Sequence, residues 1–299
     1  MDHYLPEGLQ IHTGCRIRTR DDLRRAMRDG EILSAAALLC DEVHNLHVSI
    51  DGISGLIPRE EAALGVADGS VRDIAILTRV GKTVCCKVTD IPPDGDVLLS
   101  RAAAQREARD YLTATLRPGD ILPAVVTSLT GFGAFCDIGC GVTALLGIEN
   151  VSVARIAHTR DRFREGQQIY AVVRSVDRAL GRVSLSHKEL LGTWEENAAR
   201  FRAGQTVPGI VRSVKDYGVF VELTPNLSGL ADPAPDLKPG DGVSVYLKSI
   251  RPGQGKIKLA VIGRLAEDAL PRREFEYTRT SGRLESWHYR EADGPLTVF

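Results

Sequence analysis

Residues 119–138 read GDILPAVVTSLTGFGAFCDI, and residues 204–223 read GQTVPGIVRSVKDYGVFVEL. They align at a constant offset of 85: Gly119 meets Gly204, Pro123 meets Pro208, Phe132 meets Tyr217, Gly133 meets Gly218 and Phe135 meets Phe220. Self-similarity at a fixed period marks a repeated structural unit. Further on, Gly166 meets Gly240 and Arg182 meets Lys256 at an offset of 74, so the third unit is 11 residues shorter between its third and fourth strands. Variation confined to one loop is what a repeated domain tolerates. A fainter copy starts at Gly30, offset by 89 from the second. In it Gly30, Leu46 and Leu56 fall on Gly119, Phe135 and Leu145, and the aromatic positions read Val43 and Leu46.

Each unit reads as five short strands. In the second they are predicted at 121–129, 133–138, 142–146, 167–176 and 182–186, carried by β-branched runs and separated by Gly-rich turns. Five short strands in about 70 residues, with an irregular stretch between the third and fourth, suit a small Greek-key barrel of the OB type. The expected fold class is therefore mainly β, with three tandem barrels.

Between the units the pattern turns helical. Residues 102–116 are rich in Ala, Arg, Glu and Leu and end at Pro118-Gly119. Over 187–201, Leu190, Trp194, Ala198 and Phe201 share one helical face, with Ser186 as N-cap and Glu189 completing a capping box. Trp194 either packs this connector against a barrel or stacks a base. A helix over 21–28 sets Arg24, Arg25 and Arg28 on a solvated face. In the tail, 275–280 and 283–289 flank Ser281-Gly282 and predict a hairpin. The expected organisation is an extension over 1–29, barrels over 30–101, 119–186 and 204–262, connectors over 102–118 and 187–203, and a tail over 263–299.

Composition narrows the classes. Of 299 residues, 43% are hydrophobic and 26% charged, as in ordinary globular proteins. The longest apolar run, residues 35–40, is far short of the roughly 18 residues of a membrane span. The first residues show no basic stretch leading into an apolar one, so a cytoplasmic location is expected. The six cysteines, Cys15, Cys40, Cys85, Cys86, Cys136 and Cys140, form no C-x-x-C pair. Cys40, His44 and His47 come nearest to a metal cluster but read better as a small thiol and surface imidazoles; no cofactor is expected.

The net charge of −1 is unevenly spread. Residues 30–101 hold 6 basic and 11 acidic side chains, residues 119–188 hold 8 and 6, and residues 204–262 hold 7 and 5. The two units that keep aromatics are the two with a basic excess. Exposed rings on a barrel strand, set among cations, make a single-stranded nucleic-acid platform: bases stack on the rings and cations track the phosphates. The candidate residues are Phe132, Phe135, Arg174 and Arg182 in unit two, and Arg212, Lys215, Tyr217, Phe220 and Lys256 in unit three. The competing reading makes one ring of each pair core and leaves only the other exposed; the recurrence of the pair with cations in register favours the platform.

The stretches GFGAFCDIG, VDRALGRVSLSHK and YGVFVEL resemble the S1 RNA-binding domain, and the chain resembles a short multi-repeat member of the bacterial ribosomal S1 family over about residues 30–262. That resemblance implies an RNA face of two aromatics, a His after the third strand, and an Asp and Arg bracketing the last turn. Phe132, Phe135, Asp177 and Arg182 match, whereas Gly147 stands at the His position. In unit three Tyr217, Phe220 and Lys256 match, with Asp232 at the His position and Arg251 at the Asp position. It further implies single-stranded RNA or mRNA as ligand and the small ribosomal subunit as partner, without membrane or cofactor.

No P-loop, catalytic triad or paired-carboxylate arrangement stands out, and His158, His187 and His288 are scattered, so an enzyme is not expected. Three readings stay open: an RNA-binding protein of translation, a protein-docking adaptor, and an RNA-decay or transcription accessory using the same face. Acidic unit one favours docking locally, and residues 30–101 are the expected contact with the small ribosomal subunit.

Overall fold

The computed structural model describes residues 4–9, 17–234, 236–266, 274–290 and 296–299. Cys15 and the first three residues, used in the reading of the N-terminus, lie outside them. Helix α1 (Arg20–Asp29) starts from a capping box between Thr19 and Asp22 and stops at Gly30, whose φ of 69° is left-handed. Strands β1 (Leu33–Cys40), β2 (Leu46–Ile50), β3 (Ile53–Ile57), β4 (Thr83–Asp90) and β5 (Val97–Ser100) close the first barrel, with the one-turn helix α2 (Ile74–Leu77) between β3 and β4. Helix α3 (Arg101–Thr115) follows, capped by the Ser100 hydroxyl. Strands β6 (Ile121–Leu129), β7 (Gly133–Asp137), β8 (Thr143–Gly147), β9 (Gln168–Asp177) and β10 (Arg182–Ser186) close the second barrel. Short helix α4 (Trp194–Ala198) leads into β11 (Thr206–Lys215), β12 (Gly218–Thr224), β13 (Leu227–Ala231), β14 (Gly242–Arg251) and β15 (Lys256–Arg264), the third barrel.

All three barrels run first-second-third-fifth-fourth strand, with the third and fifth strands parallel. This is the OB-type topology, and the protein is mainly β. The stretch between the third and fourth strands is residues 148–167 in barrel two and only 232–241 in barrel three, which locates the shortening. The first strand of each barrel carries a bulge, leaving Leu38, Thr127 and Arg212 unpaired at equivalent points. Such a bulge re-aims one side chain, and the three barrels use it differently.

Barrels one and two share α3, whose Ala104, Ala108 and Leu112 pack in the second barrel's core together with Cys85 of β4. Glu7 is buried at this junction. Its carboxylate accepts from Arg101 Nε and Nη2 at 2.7 and 2.8 Å, and its own backbone N–H donates to Asp137 at 2.7 Å. Burial, with Glu7 close by, raises the Asp137 carboxyl to about 7.

Two expectations about the connector and tail are corrected. The helix expected over 187–201 is split: residues 188–191 form a 3-10 turn, Gly192 takes φ 83°, and α4 starts afresh from a Thr193–Glu196 capping box. Ser186 bonds Glu189 but caps no α-helix. The hairpin expected around Ser281-Gly282 is absent; instead β16 (Ser286–His288) pairs with β17 (Leu296–Val298). Phe275 and Tyr277 are taken up by barrel two, against His187, Phe163 and Tyr170. Their period-two pattern reports a buried face, and a barrel rather than a partner strand covers it.

Candidate nucleic-acid interface

Strand register places the rings. Phe132 precedes β7, is 60% exposed, and meets half-buried Phe135 edge-on with centroids 6.0 Å apart. Tyr217, 66% exposed, meets Phe220 in the same way at 6.2 Å. In each pair the outer ring stands in solvent and the inner one is partly buried. The intervening glycine is required for packing. A Cβ on Gly133 would come within 2.7 Å of the Leu146 carbonyl, and one on Gly218 within 2.5 Å of the Ala231 carbonyl. The same backbone approach, one repeat apart, turns both rings to one surface.

From the inner ring an outward row crosses the sheet: Phe135, Leu145, Ser184 and Ser175 in barrel two, Phe220, Leu230, Lys258 and Ser249 in barrel three. Arg182, two residues before Ser184, is exposed on that face and pairs in register with Asp177, whose carboxylate accepts the Leu180 N–H at 2.9 Å. Lys256 holds the Arg182 place and faces Arg251, so two cations flank this turn in barrel three. Lys258 was missed in the sequence, although a K-x-K strand puts Lys256 and Lys258 on one face. Arg174 is the exposed bulge residue of β9; Lys248 is its counterpart and pairs with Asp232 at 2.7 Å. Lys215, at the end of β11, is exposed.

Arg212 differs from the other candidates. It is the bulge residue of β11, its side chain is 10% exposed, and its Nε donates to buried Glu222 at 2.5 Å. Glu222 also takes Arg162 from barrel two, Nη1 to Oε1 at 2.9 Å and Nη2 to Oε2 at 2.5 Å. Burial lowers the Arg162 guanidinium, and the Glu222 charge pulls it back. Ala154 and Val153 also donate to the Pro225 carbonyl and the Asn226 side chain, both at 3.0 Å. These bonds join barrels two and three.

Trp194 is buried in the third barrel's core, so it packs the connector and does not present a face for stacking. At the implied His position, the Glu149 carboxylate folds over Gly147, within 2.5 Å of where a Cβ would stand. His158 instead reaches the ring loop from the β8–β9 stretch, 3.9 Å from the Cβ position of Gly131.

Barrel one departs from the sequence alignment. Leu46, expected at the inner ring position, is fully buried; His47 holds that place, since Leu39 pairs with His47 as Ser128 pairs with Phe135. From the bulge to the inner-ring position the chain advances nine residues, Leu38 to His47, against eight in barrel two, Thr127 to Phe135, which slips the alignment by one. His44 precedes His47 by three residues, as Phe132 precedes Phe135. Both imidazoles face carboxylates, His44 Asp73 at 3.2 Å and His47 Asp41 at 3.3 Å. The outward row here is His47, Leu56, Leu98 and Asp90, and Asp96 stands where Arg182 does.

A closed five-stranded barrel of this strand order with a ring-and-cation face defines an oligonucleotide-binding type of domain. Residues 115–188, the second barrel with its flanks, match the family model described as the S1 RNA binding domain. It is similar to the small ribosomal subunit protein bS1 of Leuconostoc lactis, 32% identical over 233 residues, which cover 72% of this chain and 53% of that protein. The bS1 protein of Staphylococcus aureus strain MRSA252 is 31% identical, over 72% of this chain and 58% of that one. The chain thus spans little more than half the length of these relatives. A multidomain protein with nucleic acid binding domains from Streptococcus pneumoniae covers 79% of this chain and 75% of its own, at 17% identity and a TM-score of 0.28, a likeness too loose to carry weight. Among the described residues no helix is long and apolar enough to cross a membrane.

Proposed function

We propose that this is a cytoplasmic, non-catalytic protein of translation that needs no cofactor and binds single-stranded RNA, mRNA in particular, through barrels two and three. The observation that carries the reading is the recurrence of an outer and an inner ring with Arg182 or Lys256 and Lys258 on the same outward face. Rings in this setting need unstacked bases, which duplex RNA does not offer. Titrating the full chain with a labelled unstructured oligonucleotide and with a duplex of equal length tests it. Clear preference for the single strand, weakened by salt, is expected; equal or no binding at low salt overturns it.

Barrel one supports a second role, docking to protein, for which the small ribosomal subunit is the partner we propose. Leu38, Leu39, Val43, Ile74, Leu77 and Val80 are all exposed. The bond from Gly81 to the Ala37 carbonyl and the His44–Asp73 pair bring their segments side by side. Clustered apolar exposure marks protein contacts, and Asp90 and Asp96 repel phosphate.

A further inference from the structure

The ring pair of barrel three opens onto a cleft of about 630 Å³, within the usual range for ligand sites. Its walls are not all from barrel three. Arg155 comes from the stretch between β8 and β9 of barrel two, and Tyr289 and Arg290 come from the C-terminal segment. With Arg212 and Lys215, four cations and no carboxylate line it. Arg212 Nε is bound by Glu222, Asp161 stands 4.0 Å from Nη1, and Nη2 is closed to solvent, so this cation is fixed behind the cleft wall.

The geometry points to a composite site in which Arg155 and Arg290 complete the RNA platform of barrel three. This deepens the RNA-binding reading above and rests on it. Tyr217 and Phe220 take the bases, and the guanidiniums take the backbone between them. The segment holding Arg290 is built in: Trp194 N–H donates to the Tyr289 carbonyl at 2.7 Å, the Tyr289 hydroxyl donates to the Asn226 carbonyl at 2.6 Å, and Arg290 Nη1 donates to the Gln254 carbonyl at 3.0 Å. It presents a cationic wall already in place, so no ordering cost falls on binding.

The test uses the full chain, an oligouridylate probe and a salt titration. The double variant Arg155→Ala/Arg290→Ala should weaken binding about tenfold and flatten the salt slope by about 1.4, at roughly 0.7 per lost phosphate contact. Arg155→Lys/Arg290→Lys should keep the slope. Unchanged affinity and slope in the alanine variant, while Tyr217→Ala/Phe220→Ala weakens binding, overturns the composite site and leaves the RNA reading standing. A parent chain that binds no RNA overturns both. Should the alanine variant misfold, photo-crosslinking of a 4-thiouridine oligomer to the parent decides: adducts on the peptides holding Arg155 and Tyr289–Arg290 support the site, and adducts confined to barrel strands overturn it.

Discussion

Glu222, fully buried in barrel three, binds both terminal nitrogens of Arg162 from barrel two, so one carboxylate couples two repeats through residues 60 positions apart. Arg212 shares that carboxylate. The two barrels that carry ring pairs are therefore tied together by a buried ion-pair network.

Removing one partner of a buried ion pair strands the other charge, at a cost of about 3–5 kcal/mol. Arg212 stays on Glu222 in Arg162→Ala, so the variant should lower unfolding free energy by less, about 1.5–3 kcal/mol, and broaden or split the denaturation transition. Urea unfolding followed by fluorescence in a Trp287→Phe background, where Trp194 alone reports on barrel three, checks this. A loss below about 1 kcal/mol would show that the barrels are held elsewhere.

The rings make a second expectation. Phe132→Ala/Phe135→Ala and Tyr217→Ala/Phe220→Ala should each weaken RNA binding by about 1–3 kcal/mol per stacked base lost. The outer rings decide the matter: Phe132 and Tyr217 are mostly in solvent, so their single alanine variants should fold like the parent. If those singles bind RNA with parental affinity, the faces are not platforms.

His187 sets a pH window. Its ring is fully buried, Nδ1 donates to the Val151 carbonyl at 3.0 Å, and Nε2 accepts from the Tyr277 hydroxyl at 3.1 Å. Burial lowers the imidazole from 6.5 to about 4. Between these values the unfolded chain holds a proton that the folded one does not, so this contribution is complete above pH 6.5 and is lost as pH falls towards 4. The loss is about 3 kcal/mol at most. Melting temperature should fall across that window, and His187→Gln should flatten the dependence. A parental slope in the variant would assign the effect to other groups.

Much of this was legible from local pattern. The five strands of barrel two fall within a residue of their predicted limits because β-branched runs and glycines mark both ends. The ring pairs were legible because the repeat sets them in register. Arg212 was not: as a basic residue in a basic unit it reads as a surface cation, and only the fold brings Glu222 and Arg162 to it. His47 was hidden by one extra residue after the bulge, which a gapless alignment passes over and strand register reveals. Arg155 and Arg290 reach the cleft from another barrel and from the tail, a meeting that no local window contains.

The last expectation concerns barrel one. Deleting residues 1–101 is a poor test of its role, because the deletion removes the Glu7–Arg101 pair from the buried junction with barrel two and leaves Asp137 without its bond from Glu7. Surface variants avoid this. Leu38 is 62% exposed at the β1 bulge and Ile74 is 59% exposed on α2, so Leu38→Lys/Ile74→Lys should change stability little. A charged pair there breaks an apolar contact on barrel one and leaves untouched the ring pairs, which belong to barrels two and three. Co-sedimentation with small ribosomal subunits should therefore fall severalfold while affinity for an unstructured oligonucleotide stays parental. Loss of RNA affinity with unchanged co-sedimentation would reverse the two roles. Loss of neither would leave this patch without a part in docking, and the acidic row of Asp90 and Asp96 would be the next surface to probe by charge reversal.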